Sequence, residues 1–193
     1  LELIGRDSEE APRPMNSDVV GNVFIKKSQY PVVRIGHDSH GSGTRGRYRF
    51  VNNTFVLSAE ASTAIQSYAK LESVEMHNNV FFRAGGGAVT VLSEDDAEWT
   101  TGKRVCAGLN NWVSKASRFP DEWKGTLSGD DPGFVDLASG DVRPATGSPL
   151  IDAGASAPVG PKGFEFPKPL FPPAFEPAVR KVAPVGAAAA RTV

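Results

Sequence analysis

The feature that most constrains this chain is a short pattern, x-Asn-x-aromatic, that returns four times. It reads Gly21-Asn22-Val23-Phe24, Asn52-Asn53-Thr54-Phe55, Asn78-Asn79-Val80-Phe81 and Leu109-Asn110-Asn111-Trp112, with Asn-to-Asn spacings of 31, 26 and 31 residues. Three residues before each Asn stand Val19, Phe50, Met76 and Ala107, and five before stand Ser17, Tyr48, Val74 and Val105. That alternation is what a half-buried strand needs. A second strand pattern follows three of the four segments: Val32 to Gly36, Ala64 to Tyr68 and Ala88 to Leu92. Each repeat therefore reads as two short strands joined by turns, with glycine clusters such as Gly41-Ser42-Gly43 and Gly85-Gly86-Gly87 at the corners.

Strands recurring at this period, with Asn and an aromatic kept in register, predict a parallel β-helix in which each turn lies about 4.8 Å from the last. An Asn at one corner of successive turns can satisfy backbone groups that a bent strand leaves unpaired, while the aromatic stacks inside. A β-sandwich whose Asn residues merely mark turns is the competing architecture. Composition agrees with a turn-rich chain, since 193 residues hold 20 glycines and 15 prolines. Lys+Arg of 21 against Asp+Glu of 22 leaves a net charge of -1, which argues against a nucleic-acid binder. No apolar run approaches the ~18 residues of a membrane helix. The single cysteine, Cys106, excludes an internal disulfide framework, and core packing is its expected role.

Val20-Gly21-Asn22-Val23-Phe24, Phe50 to Val56 and His77 to Phe81 resemble the C-terminal part of right-handed parallel β-helix proteins of the pectate-lyase-like superfamily. So do the closing runs Asp131-Pro132-Gly133-Phe134-Val135-Asp136 and Gly147 to Gly154. The resemblance covers about residues 15–155 and implies an all-β, right-handed solenoid of about four coils. It also implies export to the periplasm, cell surface or medium of a bacterium, and action on, or binding of, an acidic polysaccharide. These motifs belong to the scaffold and do not fix an activity. Domains of this kind are usually longer, so upstream coils are expected.

The chain divides into residues 1–16, expected to end an earlier coil or form an N-terminal extension, a β-helix with terminal cap over 17–154, and a Pro-rich extended tail over 155–193. Leu1 to Ile4 leaves an open coil that an upstream segment or a partner chain is expected to cover. Ser114 to Trp123 reads as a short helix or loop, with Phe119 and Trp123 covering an edge, and 131–154 as a last incomplete coil. Eight prolines fall at 158–184 among Phe164, Phe166, Leu170, Phe171 and Phe175, which predicts a segment packed back along the solenoid.

Candidate chemistry lies on the second strands. With Val33, Ile65 and Val89 inward, Arg34, Gln66 and Thr90 form one outer row, Gly36, Tyr68 and Leu92 the next, and Asp38, Lys70 and Glu94 lie beyond the strand ends. Gln66, Thr90 and a stacking Tyr68 suit a sugar surface. Elimination from a uronate needs a base, here Lys70 or His37, and a cation to hold the carboxylate, here Arg34, with Asp38 and Glu94 as oxygen ligands for Ca²⁺. The plainer reading of Asp38, Lys70 and Glu94 is an exposed charge ladder without chemistry. His37 and His40 lack a third ligand for a transition metal, because His77 belongs to another coil. Gly41 to Gly46 lacks the ending of a phosphate loop, and Asn52-Asn53-Thr54, formally a glycosylation sequon, falls in the Asn ladder. Three readings remain open: a polysaccharide lyase, a glycan-binding or adhesion solenoid, and a structural element.

Overall fold

The computed structural model describes residues 1–3, 14–36, 45–68, 70–94 and 98–170. They contain fifteen strands and no helix. The strands are β1 (Glu2–Leu3), β2 (Ser17–Val20), β3 (Val23–Lys26), β4 (Val33–Ile35), β5 (Arg47–Val51), β6 (Thr54–Leu57), β7 (Thr63–Ser67), β8 (Ser73–His77), β9 (Val80–Arg83), β10 (Thr90–Ser93), β11 (Cys106–Leu109), β12 (Trp112–Ser114), β13 (Leu127–Gly129), β14 (Phe134–Asp136) and β15 (Asp141–Pro144). From β1 to β12 every third strand pairs in parallel, which builds three stacked sheets, and β13 adds to the last of them. Sheet A runs β1-β4-β7-β10, sheet B runs β2-β5-β8-β11, and sheet C runs β3-β6-β9-β12-β13. The chain is a β-solenoid, compatible with a parallel β-helix, and each repeat carries three strands rather than the two read from the sequence.

The third strand arises at the Asn corner. Gly21, Asn52, Asn78 and Asn110 all adopt positive φ, between 50° and 70°. Only Gly and, at modest cost, Asn enter that left-handed region readily, so these residue types split one extended segment into two strands. The next residue forms the ladder. Asn53 Oδ1 accepts from the backbone N–H and the side-chain amide of Asn22 at 3.0 and 3.1 Å. Asn79 Oδ1 receives the same pair from Asn53, and Asn111 Oδ1 from Asn79. The side-chain amides of Asn53, Asn79 and Asn111 also donate to the carbonyls of Val19, Phe50 and Met76. Asn53, Asn79 and Asn111 are fully buried, yet the oxygen and nitrogen of each side-chain amide are both hydrogen-bonded.

The fourth rung sits at Asn111, one residue beyond the sequence reading, so the ladder spacings are 31, 26 and 32. The slip has a cause in the register: Trp112 pairs with Val80 and Val113 with Phe81. Trp112 is therefore not the fourth interior aromatic. Phe24, Phe55 and Phe81 stack inside at 4.8 Å between centroids, matching the rise per coil, and Trp123 closes the column at 6.0 Å from Phe81. Gly108 takes the place opposite Met76 because a β-carbon there would run into the Trp123 ring. Residues 114–123 form no helix, and Phe119 stacks on Trp123 at 5.5 Å over the end of the core. Cys106 packs in that core.

Sheet C is apolar on both sides, which explains runs such as Thr54-Phe55-Val56-Leu57 and Val80-Phe81-Phe82. Its outer side carries Val56, Val80, Phe82 and Trp112, which cluster with Val142 and Leu150. The segment 131–154 is thus not a further coil. Its antiparallel pair β14–β15 covers the outer face of sheet C. After Ala155 the chain returns across sheet B as far as Leu170. Residues 171–193, Phe171 and Phe175 among them, lie outside the described residues.

Replacing Asn79 by Ala orphans buried groups on both neighbouring coils and is expected to lower the unfolding free energy by about 3 kcal/mol or more. Asn22→Ala, at the exposed end of the ladder, should cost less than about 1 kcal/mol in the same urea titration.

Candidate functional site

Sheet A offers an open polar strip. Register aligns Glu2, Arg34, Gln66 and Ser93, in that order, across its four strands. The expected row Arg34–Gln66–Thr90 is therefore corrected at its last member, since Thr90 pairs with Thr63. Leu57 and Arg83 are aligned on sheet C, and the turn from Arg83 to Thr90 is one residue longer than that from Leu57 to Thr63. The left-handed run Gly85-Gly86-Gly87 occupies that longer turn.

Arg34 extends away from β7, toward the sheet edge, where its Nη1 lies 3.3 Å from Glu2 Oε1. Gln66 and Tyr68 are half-buried. Lys70 is half-buried in the turn leaving the sheet, with left-handed φ, and its carbonyl accepts from Arg45 N–H at 2.9 Å. Arg34 is thus directed to Glu2 rather than toward Lys70. His37, Asp38 and His40 lie outside the described residues. Asn52 and Asn53 are buried in the ladder corner, where a glycan could not be attached to the folded chain.

The strip ends in a shallow recess of about 230 Å³ lined by Thr90, Ser93, Glu94, Arg104, Arg118 and Phe119, among others. Arg118 reaches it because its backbone adds a one-residue rung beside Thr90, donating to Val89 O and accepting from Val91 N–H. Its exposed guanidinium donates to Thr90 Oγ1 at 3.1 Å and, among the described residues, meets no carboxylate. Arg104 bridges Glu122 at 2.9 Å and Glu94 at 3.0 Å, and those hydrogen bonds hold its guanidinium even more firmly protonated than usual. Glu94 Oε2 is engaged by Arg104, and no group of three His, Cys, Asp or Glu among the described residues could hold a metal ion. Asp38, the other oxygen ligand expected for Ca²⁺, lies outside the described residues. Sequence reading missed Arg104 and Arg118 because neither belongs to a repeat strand.

A second polar set lies on sheet B. Asp18, Arg49 and Glu75 form one row, each four residues before a ladder Asn, a spacing that was available to sequence reading. Arg49 holds Asp18 through two hydrogen bonds, Arg47 pairs with Glu72 at 2.7 Å, and His77 Nε2 lies 3.2 Å from Glu75 Oε2. Its hydrogen bond to Glu72 keeps Arg47 above its usual pKa. Arg49, Glu75 and His77 are 6%, 4% and 1% exposed because residues 155–170 cross over them. His77 Nδ1 has no hydrogen-bond partner among the described residues.

Burial, reinforced by Glu94 and Glu122, pushes the Cys106 thiol well above its ordinary pKa, so it is no thiolate nucleophile near neutrality. A disulfide reagent at pH 8 is expected to leave Cys106 unmodified in the folded chain and to label it fully in denaturant, read by thiol release. No protein-family model, curated protein or solved structure matches this chain.

Proposed function

We propose that this chain belongs to a right-handed parallel β-helix of the pectate-lyase-like kind, exported from a bacterium, that binds an acidic polysaccharide along sheet A. The observation that carries the reading is Arg118. It is an exposed guanidinium without a carboxylate partner among the described residues, set in a polar recess beside the Thr90 hydroxyl and the Phe119 ring. A uronate offers matching chemistry, a carboxylate for the guanidinium and hydroxyls for Thr90 and Ser93. Gln66 and Tyr68 extend the polar strip along the stack. Binding is favoured over cleavage because Arg34 leans on Glu2 and Lys70 lies in the turn beyond the strand.

Calorimetric titration with uronate oligosaccharides is expected to show binding that Arg118→Ala weakens about tenfold, the loss of one charge-assisted hydrogen bond. Raising the salt should weaken it further, and neutral glucans should not compete. Absence of binding to every acidic glycan overturns the reading. Growth of the ultraviolet absorbance of unsaturated uronates, lost in Lys70→Ala, replaces binding with a lyase.

A second reading, assembly through the first coil, is favoured by one observation. Val23 and Ile25 on the edge strand β3 are 44% and 52% exposed, and Leu1, Met15 and Tyr30 nearby are exposed as well. Such an edge suits a further parallel coil, from an upstream segment or a partner chain. If it mediates self-association, sedimentation should show oligomers that Val23→Lys with Ile25→Lys disperses. A monomer at all concentrations contradicts self-association.

A further inference from the structure

The outer face of sheet B is occupied by the chain's own residues 155–170, and the manner of that occupancy points beyond it. The groove reads mainly backbone, together with two aromatic rings. Ser73 Oγ donates to Phe164 O at 2.9 Å, Arg47 Nη1 to Glu165 O, and Arg49 Nη1 to Lys168 O at 2.8 Å. Glu75 Oε1 accepts from Phe166 N–H at 3.0 Å. Asn78 both donates to Ala155 O and accepts from its N–H, and Asn110 donates to Ala153 O. The side chains that are read are the two rings, with Phe164 5.9 Å from the Arg47 guanidinium and Phe166 4.3 Å from that of Arg49. Gly160 passes so close to the Glu75 carboxylate that a β-carbon would collide with it.

This is recognition of an extended, aromatic- and proline-bearing peptide. The hold is shallow, however: across residues 155–170 only Pro161 is buried. Lifting the strap forfeits little apolar burial and returns Arg49, Glu75 and His77 to water, which offsets part of the lost hydrogen bonding. Nothing in the groove distinguishes its own strap from an identical one on another molecule. Only the tether favours the intramolecular copy, through effective concentration.

We propose that the outer face of sheet B is an interaction surface for a second copy of this chain, whose residues 155–170 replace the resident strap and join the two molecules by strap exchange. The groove supplies Arg47, Arg49, Ser73 and Glu75, and the incoming segment supplies the Phe164 and Phe166 rings with the intervening carbonyls. This surface is separate from the sheet A strip and from the exposed edge at Val23 and Ile25, so it stands whether or not glycan binds there.

Two variants that damage opposite partners test it. Phe166→Ala weakens the strap and leaves the groove whole, and Arg49→Ala weakens the groove and leaves the strap whole. Each alone is expected to run as a monomer, whereas an equimolar mixture should give a one-to-one complex by light scattering on a sizing column. A mixture that stays monomeric, or either variant pairing equally well alone, overturns the proposal. Because Arg49→Ala unpairs Asp18 at a buried site, a labelled peptide of residues 158–170 gives a reading that does not depend on that variant folding. It should bind the Phe166→Ala chain at least about tenfold more tightly than the unaltered chain, whose own strap competes. Equal binding overturns the proposal as well.

Discussion

The hydrogen-bonded column of Asn22, Asn53, Asn79 and Asn111 is the constraint on which the rest of the structure depends. A solenoid must bend its strands at every corner, and each bend strands a buried backbone N–H and C=O. One carboxamide per coil answers both. Its oxygen takes the N–H and amide of the Asn on one neighbouring coil, and its nitrogen reaches a carbonyl three residues before that same Asn. The residue ahead of it must be left-handed to aim the amide inward, which explains why Gly or Asn stands there every time. Because the ladder fixes the axial rise, Phe24, Phe55 and Phe81 stack at the same 4.8 Å spacing without further adjustment.

Once the core is fixed, the three outer faces meet different fates. Sheet C presents Val56, Val80, Phe82 and Trp112, and the β14–β15 pair buries them. Sheet B presents Asp18, Arg49, Glu75 and His77, and the strap satisfies them with backbone groups rather than an apolar lid. Burying ions is costly unless each is paired, and here every charge in the row has an opposite partner or a hydrogen bond. Sheet A is left open as a polar strip that ends in a recess beside the exposed Arg118 guanidinium. The three faces therefore differ in what covers them, and among the described residues sheet A is the one left open.

The fold was legible because it rests on periodic signals. The ladder, the aromatic column and the parallel strands all follow from residues that recur at matching positions. Errors came where one residue had two equally good partners. Asn110 and Asn111 both precede the same aromatic, and the register of β12 on β9, with Asn79 donating to Asn111, shows which of them is the rung. The position of Thr90 failed similarly, because the length of a glycine turn cannot be counted from strand patterns alone. The site was less legible. Arg34, Gln66 and Tyr68 could be placed on one sheet, but Arg118 reaches that face from an irregular segment with no repeat behind it. The charged row beneath the strap carried the ladder's own spacing, yet its burial depends on a Pro-rich segment more than 80 residues away.

The most direct test of the ladder is hydrogen exchange of the side-chain amides, followed residue by residue by NMR. Asn111 donates to Met76 O within the buried core, whereas Asn110 donates only to Ala153 O in the cap. The account predicts that the amides of Asn53, Asn79 and Asn111 exchange only through global unfolding, while that of Asn110 exchanges through local opening of the cap. Fast exchange at Asn111, or protection at Asn110 equal to that at Asn79, would contradict the ladder as the axis of this fold.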